Sequence, residues 1–174
     1  LKDCRCARRE AARAKAYEWD TFGRMHSLTF NDGEKILYGY DTGGLVNEVH
    51  GQKDGATTTY YVERLEYDKF GQRKYYQRSY TDTEYFYNNT TRRLHRIRGT
   101  ADSISEVIND ITYTYDAADN ITQTVNAHPE PKNGYGGPVT QTYTYDDLYR
   151  LTGASGDYLN GENKYSLTME YDNI

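Results

Sequence analysis

A Tyr-Asp dipeptide, or a close variant of it, returns seven times along the 174 residues, and this return constrains the fold more than any other feature. The anchors are Asp20, Asp41, Asp68, Asn88, Asp116, Asp146 and Asp172. Before them stand aromatic residues: Tyr17 and Trp19, Tyr38 and Tyr40, Tyr67, Tyr85 and Tyr87, Tyr113 and Tyr115, Tyr143 and Tyr145, and Tyr171. Three residues after the first three anchors stand Gly23, Gly44 and Gly71. Asp119 and Tyr149 occupy that place after Asp116 and Asp146. An apolar residue follows two positions on: Met25, Val46, Ile121 or Leu151, with Asn120 and Arg150 just before the last two. The third copy has Arg73 in the apolar place, and the fourth reaches Leu94 one position late. A loose period of roughly 20 to 30 residues suits a repeat array in which each repeat packs on its neighbours.

Each place in the repeat has a physical task. Aromatic-x-aromatic puts two rings on one face of a strand, because strand side chains alternate. The Asp or Asn that follows accepts a hydrogen bond from a backbone N–H two residues on and starts a turn. Glycine three residues later takes positive φ without steric cost, as a hairpin with a bulge requires. Asp119 is tolerable there. Tyr149 would cost on the order of 1 kcal/mol, so the sixth repeat is expected to use a different turn. The chain is therefore read as all-β, an array of antiparallel hairpins. Strands are expected near 17–19, 25–30, 35–41, 45–50, 59–67, 72–80, 84–88, 92–98, 110–116, 120–126, 139–146, 149–154 and 164–171. Loops are expected at 31–33, 51–55, 128–138 and 153–162. If the alignment holds, Tyr113 and Tyr115 share a face with Tyr143 and Tyr145.

Composition supports a sheet built from tyrosine. Twenty of the residues are Tyr, and the formal net charge is only −5. Scarce aliphatic residues raise the question of disorder. The small charge and the regular placing of the rings argue against it. A Tyr ring buries a large apolar area while its hydroxyl stays at a wet edge, and Tyr and Thr favour strands.

The pattern Tyr-x-Tyr-Asp-x-x-Gly-Arg/Asn-Leu/Ile resembles the YD repeat of Rhs proteins. Gln141–Thr152 and Thr112–Ile121 are the segments closest to it. Tc-toxin cocoon components and the barrel of teneurins are similar, and the whole looks most like long Rhs proteins of Bacteroides-type bacteria. The resemblance covers about residues 17–174, as six repeats and the truncated start of a seventh. It implies a curved, spiralling sheet that forms a section of a shell around a C-terminal toxin or effector. It also implies a secreted or cell-surface setting, and partners in the remaining repeats and cargo of the same protein. The self-cleaving Asp-Pro segment common in that family has no counterpart here: the prolines follow His128, Glu130 and Gly137. A second class is a carbohydrate-binding or adhesion module, in which Tyr-rich strand faces stack on cell-surface sugars.

Other features carry less. Residues 1–16 are rich in Ala and Arg and are read as a basic, helical or frayed lead-in. They lack the apolar core of a secretory signal, so export would be directed from outside the segment. No run is long and apolar enough to span a membrane, and the acidic balance gives no reason to expect nucleic acid. Cys4 and Cys6 lack further soft ligands nearby, and His26, His50, His95 and His128 are scattered without metal spacing. No catalytic, cofactor or metal site is expected, and the chain is read as non-enzymatic. The run Arg92–Arg98 alternates like a solvated or salt-bridged strand face. Asn88, Asn89 and Asn120 match a glycosylation pattern. About a dozen strands at roughly 4.8 Å spacing would span about 60 Å. Their open edges invite self-association.

Overall fold

The computed structural model describes residues 14–53, 57–101, 106–128, 137–158 and 163–172. Among them there is no helix. There are fourteen strands: β1 (Ala14–Trp19), β2 (Met25–Phe30), β3 (Lys35–Tyr40), β4 (Val46–Gln52), β5 (Thr59–Val62), β6 (Arg64–Tyr67), β7 (Arg73–Arg78), β8 (Thr81–Tyr87), β9 (Leu94–Ala101), β10 (Glu106–Tyr115), β11 (Ile121–Asn126), β12 (Val139–Tyr145), β13 (Leu151–Tyr158) and β14 (Asn163–Thr168). They form two sheets in simple sequence order, β1 to β5 and β6 to β14. By contacts the chain falls into two lobes, Leu1–Gln72 with Tyr76–Ser79, and Arg73–Tyr75 with Tyr80–Ile174. No break in composition marks this division.

The same hairpin recurs in both lobes. The second aromatic closes the outgoing strand and faces the first residue of the return strand: Trp19 faces Met25, Tyr40 faces Val46, Tyr87 faces Leu94, Tyr115 faces Ile121 and Tyr145 faces Leu151. A register shift sits at each of these pairs. Alternation puts Tyr113 and Tyr143 on one face, through Thr124 and Gln141, which stand opposite each other between them. Tyr115 and Tyr145 follow two residues on, so the expected sharing of a face holds.

Burial is shallow. Among the described residues the buried apolar side chains are Ile36 and Ala154. In β10 and β12 the tyrosines are half-buried, while Thr114, Thr142 and Thr144 on the opposite face are exposed. The rings thus supply burial that a sheet poor in aliphatic residues otherwise lacks.

Several boundaries differ from expectation. Ala14 to Ala16 belong to β1 and not to a helical lead-in, since pairing with Thr29 and Phe30 outweighs a weak helix preference. Residues 1–13, with Cys4 and Cys6, lie outside the described residues. The strand expected at 59–67 breaks at Glu63, whose N–H donates to the Gln77 carbonyl. Gly51 and Gln52, expected in a loop, continue β4. The expected loop at 153–162 is largely strand, for β13 runs to Tyr158; residues 159–162 lie outside the described residues, as do 129–136 of the long loop. Gly153 and Gly156 do not break β13, because they make room for neighbours. A Cβ on Gly156 would strike the Tyr165 ring, and one on Gly153 would come within 2.7 Å of the Thr144 hydroxyl.

The sixth turn is the clearest correction. It has the same form as the others, and Tyr149 takes φ 61° to fit it. Its N–H donates to the Asp146 carbonyl at 2.9 Å, as Gly23, Gly44 and Gly71 donate to theirs. The hydrogen bonds around Asp146 outweigh the strain of one residue. Replacing Tyr149, whose side chain is exposed, by Gly should therefore raise stability by about 1 kcal/mol. Urea unfolding of Tyr149→Gly beside the parent chain checks this.

Candidate functional site

The turn anchors form one repeated device. The Asp20 N–H donates to the Arg24 carbonyl, and the Asp20 carbonyl accepts from Gly23. Oδ1 of Asp20 accepts from the backbone N–H groups of Phe22 and Arg24, both at 2.9 Å. Oδ2 accepts from Arg24 Nε at 2.7 Å. Asp68, Asp116 and Asp146 take the same pair of backbone donors on one oxygen. Arg150 closes on Asp146 as Arg24 does on Asp20, and the Asn120 amide takes that place on Asp116. Asn88 heads a loop one residue longer, so positive φ falls on Arg92 and β9 begins at Leu94. Arg92 thus belongs to the turn and not to the strand face expected for it.

A second device joins one repeat to the next. The hydroxyl of the second aromatic donates to the carbonyl of the residue that opens the previous return strand. Tyr40 donates to Met25 at 2.6 Å, Tyr67 to Val46 at 2.8 Å, and Tyr87 to Arg73 at 2.9 Å. Tyr115 donates to Leu94, Tyr145 to Ile121 and Tyr171 to Leu151, each at 2.8 Å. Guanidinium groups reinforce the joint. Arg24 lies over the Tyr40 ring at 4.3 Å, Arg93 over Tyr115 at 5.6 Å and Arg150 over Tyr171 at 4.6 Å. Arg24 and Arg150 thus grip their own turn Asp and cover the next repeat's ring, whereas Arg93 donates to the Asp116 carbonyl and pairs with Asp119 in the turn of the next repeat. In the third repeat Arg73, in the apolar place, covers Tyr85 instead.

Sequence reasoning placed these tyrosines and anchors but left the hydroxyls at a wet edge. The structure spends them on carbonyls. The register explains why. Between repeats the ladder ends at Ser27, Arg96, Gln123 and Gly153, each two residues short of the receiving carbonyl. The unused carbonyl then lies within reach of a long side chain and not of a backbone N–H. The constant distance between the second Tyr of one repeat and the apolar residue of the last was the available signal, but only with hairpin pairing known.

Arg96 of the basic run is held by both oxygens of Asp110 at 2.5 Å, which makes it a salt-bridged strand face. Among the described residues, no three of His, Cys, Asp and Glu are grouped to hold a metal. Nor is any helix there long and apolar enough to cross a membrane. A groove on the second lobe, between Thr140, Ser155, Asp157 and Lys164, is open to solvent.

Both devices leave a mark on titration. Burial raises the hydroxyls of Tyr87, Tyr115 and Tyr145 above the ordinary Tyr range, helped by the neighbouring tyrosine two residues back in each strand. A group raised in the fold stabilises it fully below its unfolded value and loses that effect as pH rises through the folded one. Alkaline unfolding should therefore set in above about pH 10. Tyr115→Phe should cost about 1–2 kcal/mol by leaving the Leu94 carbonyl unpaired, and should weaken the alkaline transition; circular dichroism against pH reads both. At the acid end, the backbone N–H of Arg24 and of Arg150 lowers Asp20 and Asp146, and the Asn120 amide lowers Asp116. Lowered groups stabilise above their unfolded value and lose the effect as pH falls through the folded one. Stability should hold down to the ordinary Asp value of 3.8 and decline below it. Asp146→Asn, which keeps one acceptor oxygen, should blunt this acid limb in the same titration.

No protein-family model matches the sequence, and no curated protein does. Solved structures do match. The TcdB2-TccC3 crystal structure is 26% identical with a TM-score of 0.78, over 90% of this chain and 8% of that one. TcdB2-TccC3 without its hypervariable C-terminal region is 29% identical with a TM-score of 0.75, over 80% of this chain and 7% of that one. The Tc holotoxin pore of Photorhabdus luminescens is 21% identical with a TM-score of 0.65, over 87% of this chain and 9% of that one, and shows the fold alone. The chain spans less than a tenth of the length of these proteins. The resemblance to Rhs-type YD repeats, drawn above from the Tyr-Asp pattern, thus holds in three dimensions.

Proposed function

We propose that this chain is a structural wall section of a large Rhs-type protein, and that the wall encloses a toxin or effector domain of the same protein. The observation that carries this is the joint from Tyr hydroxyl to the previous repeat's carbonyl, made six times by the same two places in the repeat. A repeated joint of one geometry extends a sheet by any number of repeats, as a wall needs. It asks nothing of the repeats except that they hold together. Similarity to TcdB2-TccC3 supports the reading, and with it a protein acting outside the cell that makes it. The reading assigns the chain no catalysis.

The adhesion reading needs exposed Tyr faces. The paired rings of β10 and β12 are half-buried. Among the aromatics exposed elsewhere are Tyr60, Tyr80 and Tyr149. A glycan array probed with the chain is expected to stay blank. Specific binding lost on replacing those three would install adhesion in place of the wall. The enclosure itself is tested in a longer polypeptide that carries these repeats with a downstream domain. That domain should resist protease, and Tyr115→Phe with Tyr145→Phe should expose it. Ready digestion of the domain in the unaltered protein would sink the proposal.

A further inference from the structure

Three Asn-x-Thr sequences lie in this chain, at Asn88, Asn89 and Asn120, and the fold treats them differently. The sugar of an N-linked glycan bonds to the side-chain nitrogen Nδ2, and the hydroxyl two residues on is read with it. Both groups must therefore be free to leave the protein surface. Asn120 fails this condition. It is half-buried, and its Nδ2 donates to Asp116 Oδ2 at 2.9 Å. Ile121 opens β11 opposite Tyr115, and the Thr122 hydroxyl donates to the Thr114 carbonyl at 3.3 Å. Asn88 fails it as well. Its Oδ1 accepts from the backbone N–H groups of Thr90 and Thr91, both at 2.9 Å, which holds the side chain inside the turn it starts. Asn89 meets the condition. It follows Asn88 in the loop that is one residue longer than the other turns, and it is exposed together with Thr90 and Thr91. Among the described residues, none bonds the Asn89 side chain. The Thr91 hydroxyl oxygen accepts from the Arg93 N–H at 3.4 Å, which leaves its own proton to donate.

We propose that Asn89 is the glycan acceptor of this chain, modified by a transferase that carries an oligosaccharide to it from a lipid pyrophosphate. In that step the bond from Nδ2 to the sugar C1 forms and the bond from C1 to the pyrophosphate oxygen breaks. One Nδ2 proton goes to the enzyme's base, and the lipid pyrophosphate leaves. The Asn88 bonds that close the turn are untouched, so the glycan projects from the loop while the hairpin stays shut. The proposal stands on this loop and not on what the wall encloses, so neither the protease experiment nor the glycan array bears on it.

The test gives the folded chain a single-subunit oligosaccharyltransferase that reads Asn-x-Ser/Thr, together with a lipid-pyrophosphate-linked oligosaccharide. Mass spectrometry of the peptides then maps the products. Asn89 should carry the glycan. Asn120 should carry at least about tenfold less, because freeing its amide breaks a bond to a carboxylate. An unfolded peptide of residues 116–124 should accept the glycan, since the fold and not the sequence withholds Asn120. Asn89→Gln, which keeps the Asn88 sequence, should leave the loop bare. Thr90→Ala, which removes the Asn88 sequence and keeps that of Asn89, should leave the modification unchanged. A bare Asn89 in the folded chain overturns the proposal. So does a glycan that moves to Asn88 in Asn89→Gln, an Asn120 modified as readily as Asn89, or a peptide that stays bare.

Discussion

Where two hairpins meet side by side, the first carbonyl of a return strand has no backbone partner on the neighbouring repeat. The bulge behind each Tyr-Asp turn lets the ladder between repeats end two residues early, and bulges sharpen local twist. A part-buried carbonyl left unpaired costs on the order of 1–3 kcal/mol. The tyrosine hydroxyl removes that cost. It reaches across the gap from a strand end and supplies the donor that the backbone cannot. The bulge is needed for the turn, the gap follows from the bulge, and the Tyr follows from the gap. This is a physical reason for Tyr before Asp in repeat after repeat.

The arginine after the positive-φ turn residue, Gly23 or Tyr149, ties the two devices together. It bonds the Asp that starts its own turn and covers the ring that arrives from the next repeat. Its charge is thereby matched twice, by a carboxylate at one end of the guanidinium and a π face over it. Where Asn120 stands instead, the turn bond survives, and among the described residues no cation covers Tyr145. Val46 follows Leu45, and the Tyr67 joint there likewise rests on the hydroxyl alone. The hydroxyl bond is common to all six joints and the cation is an addition to some. That ordering explains why the repeat tolerates Leu, Gln or Asn in the arginine place.

Much of the fold was legible because two short-range rules act locally. Alternation set the strands, and Asp with Gly set the turns, so β2, β3, β11 and β12 fall close to their expected bounds. What could not be read depended on the neighbour. Tyr149 at positive φ contradicts its own preference because five hydrogen bonds around Asp146 fix the turn regardless. Gly153 and Gly156 read as loop residues by composition. They are strand residues because Thr144 and Tyr165 fill the space beside them. The joint itself was invisible for the same reason: its two halves lie in different repeats, and no single copy of the motif contains the bond.

A sheet made this way has a specific weakness. Among the described residues apolar burial is shallow and few side chains are fully buried, so cohesion between repeats rests on the backbone ladders and, at one end of each, on the Tyr bond and the ring burial near it. Removing one hydroxyl weakens one end of one seam and leaves the hairpins on either side intact, because their turns are closed by their own Asp or Asn. Cohesion within a hairpin and between hairpins is therefore separable. In a sheet with a deep common core the two would fail together. Here the joint at one seam can be lost while the turns on either side stay closed.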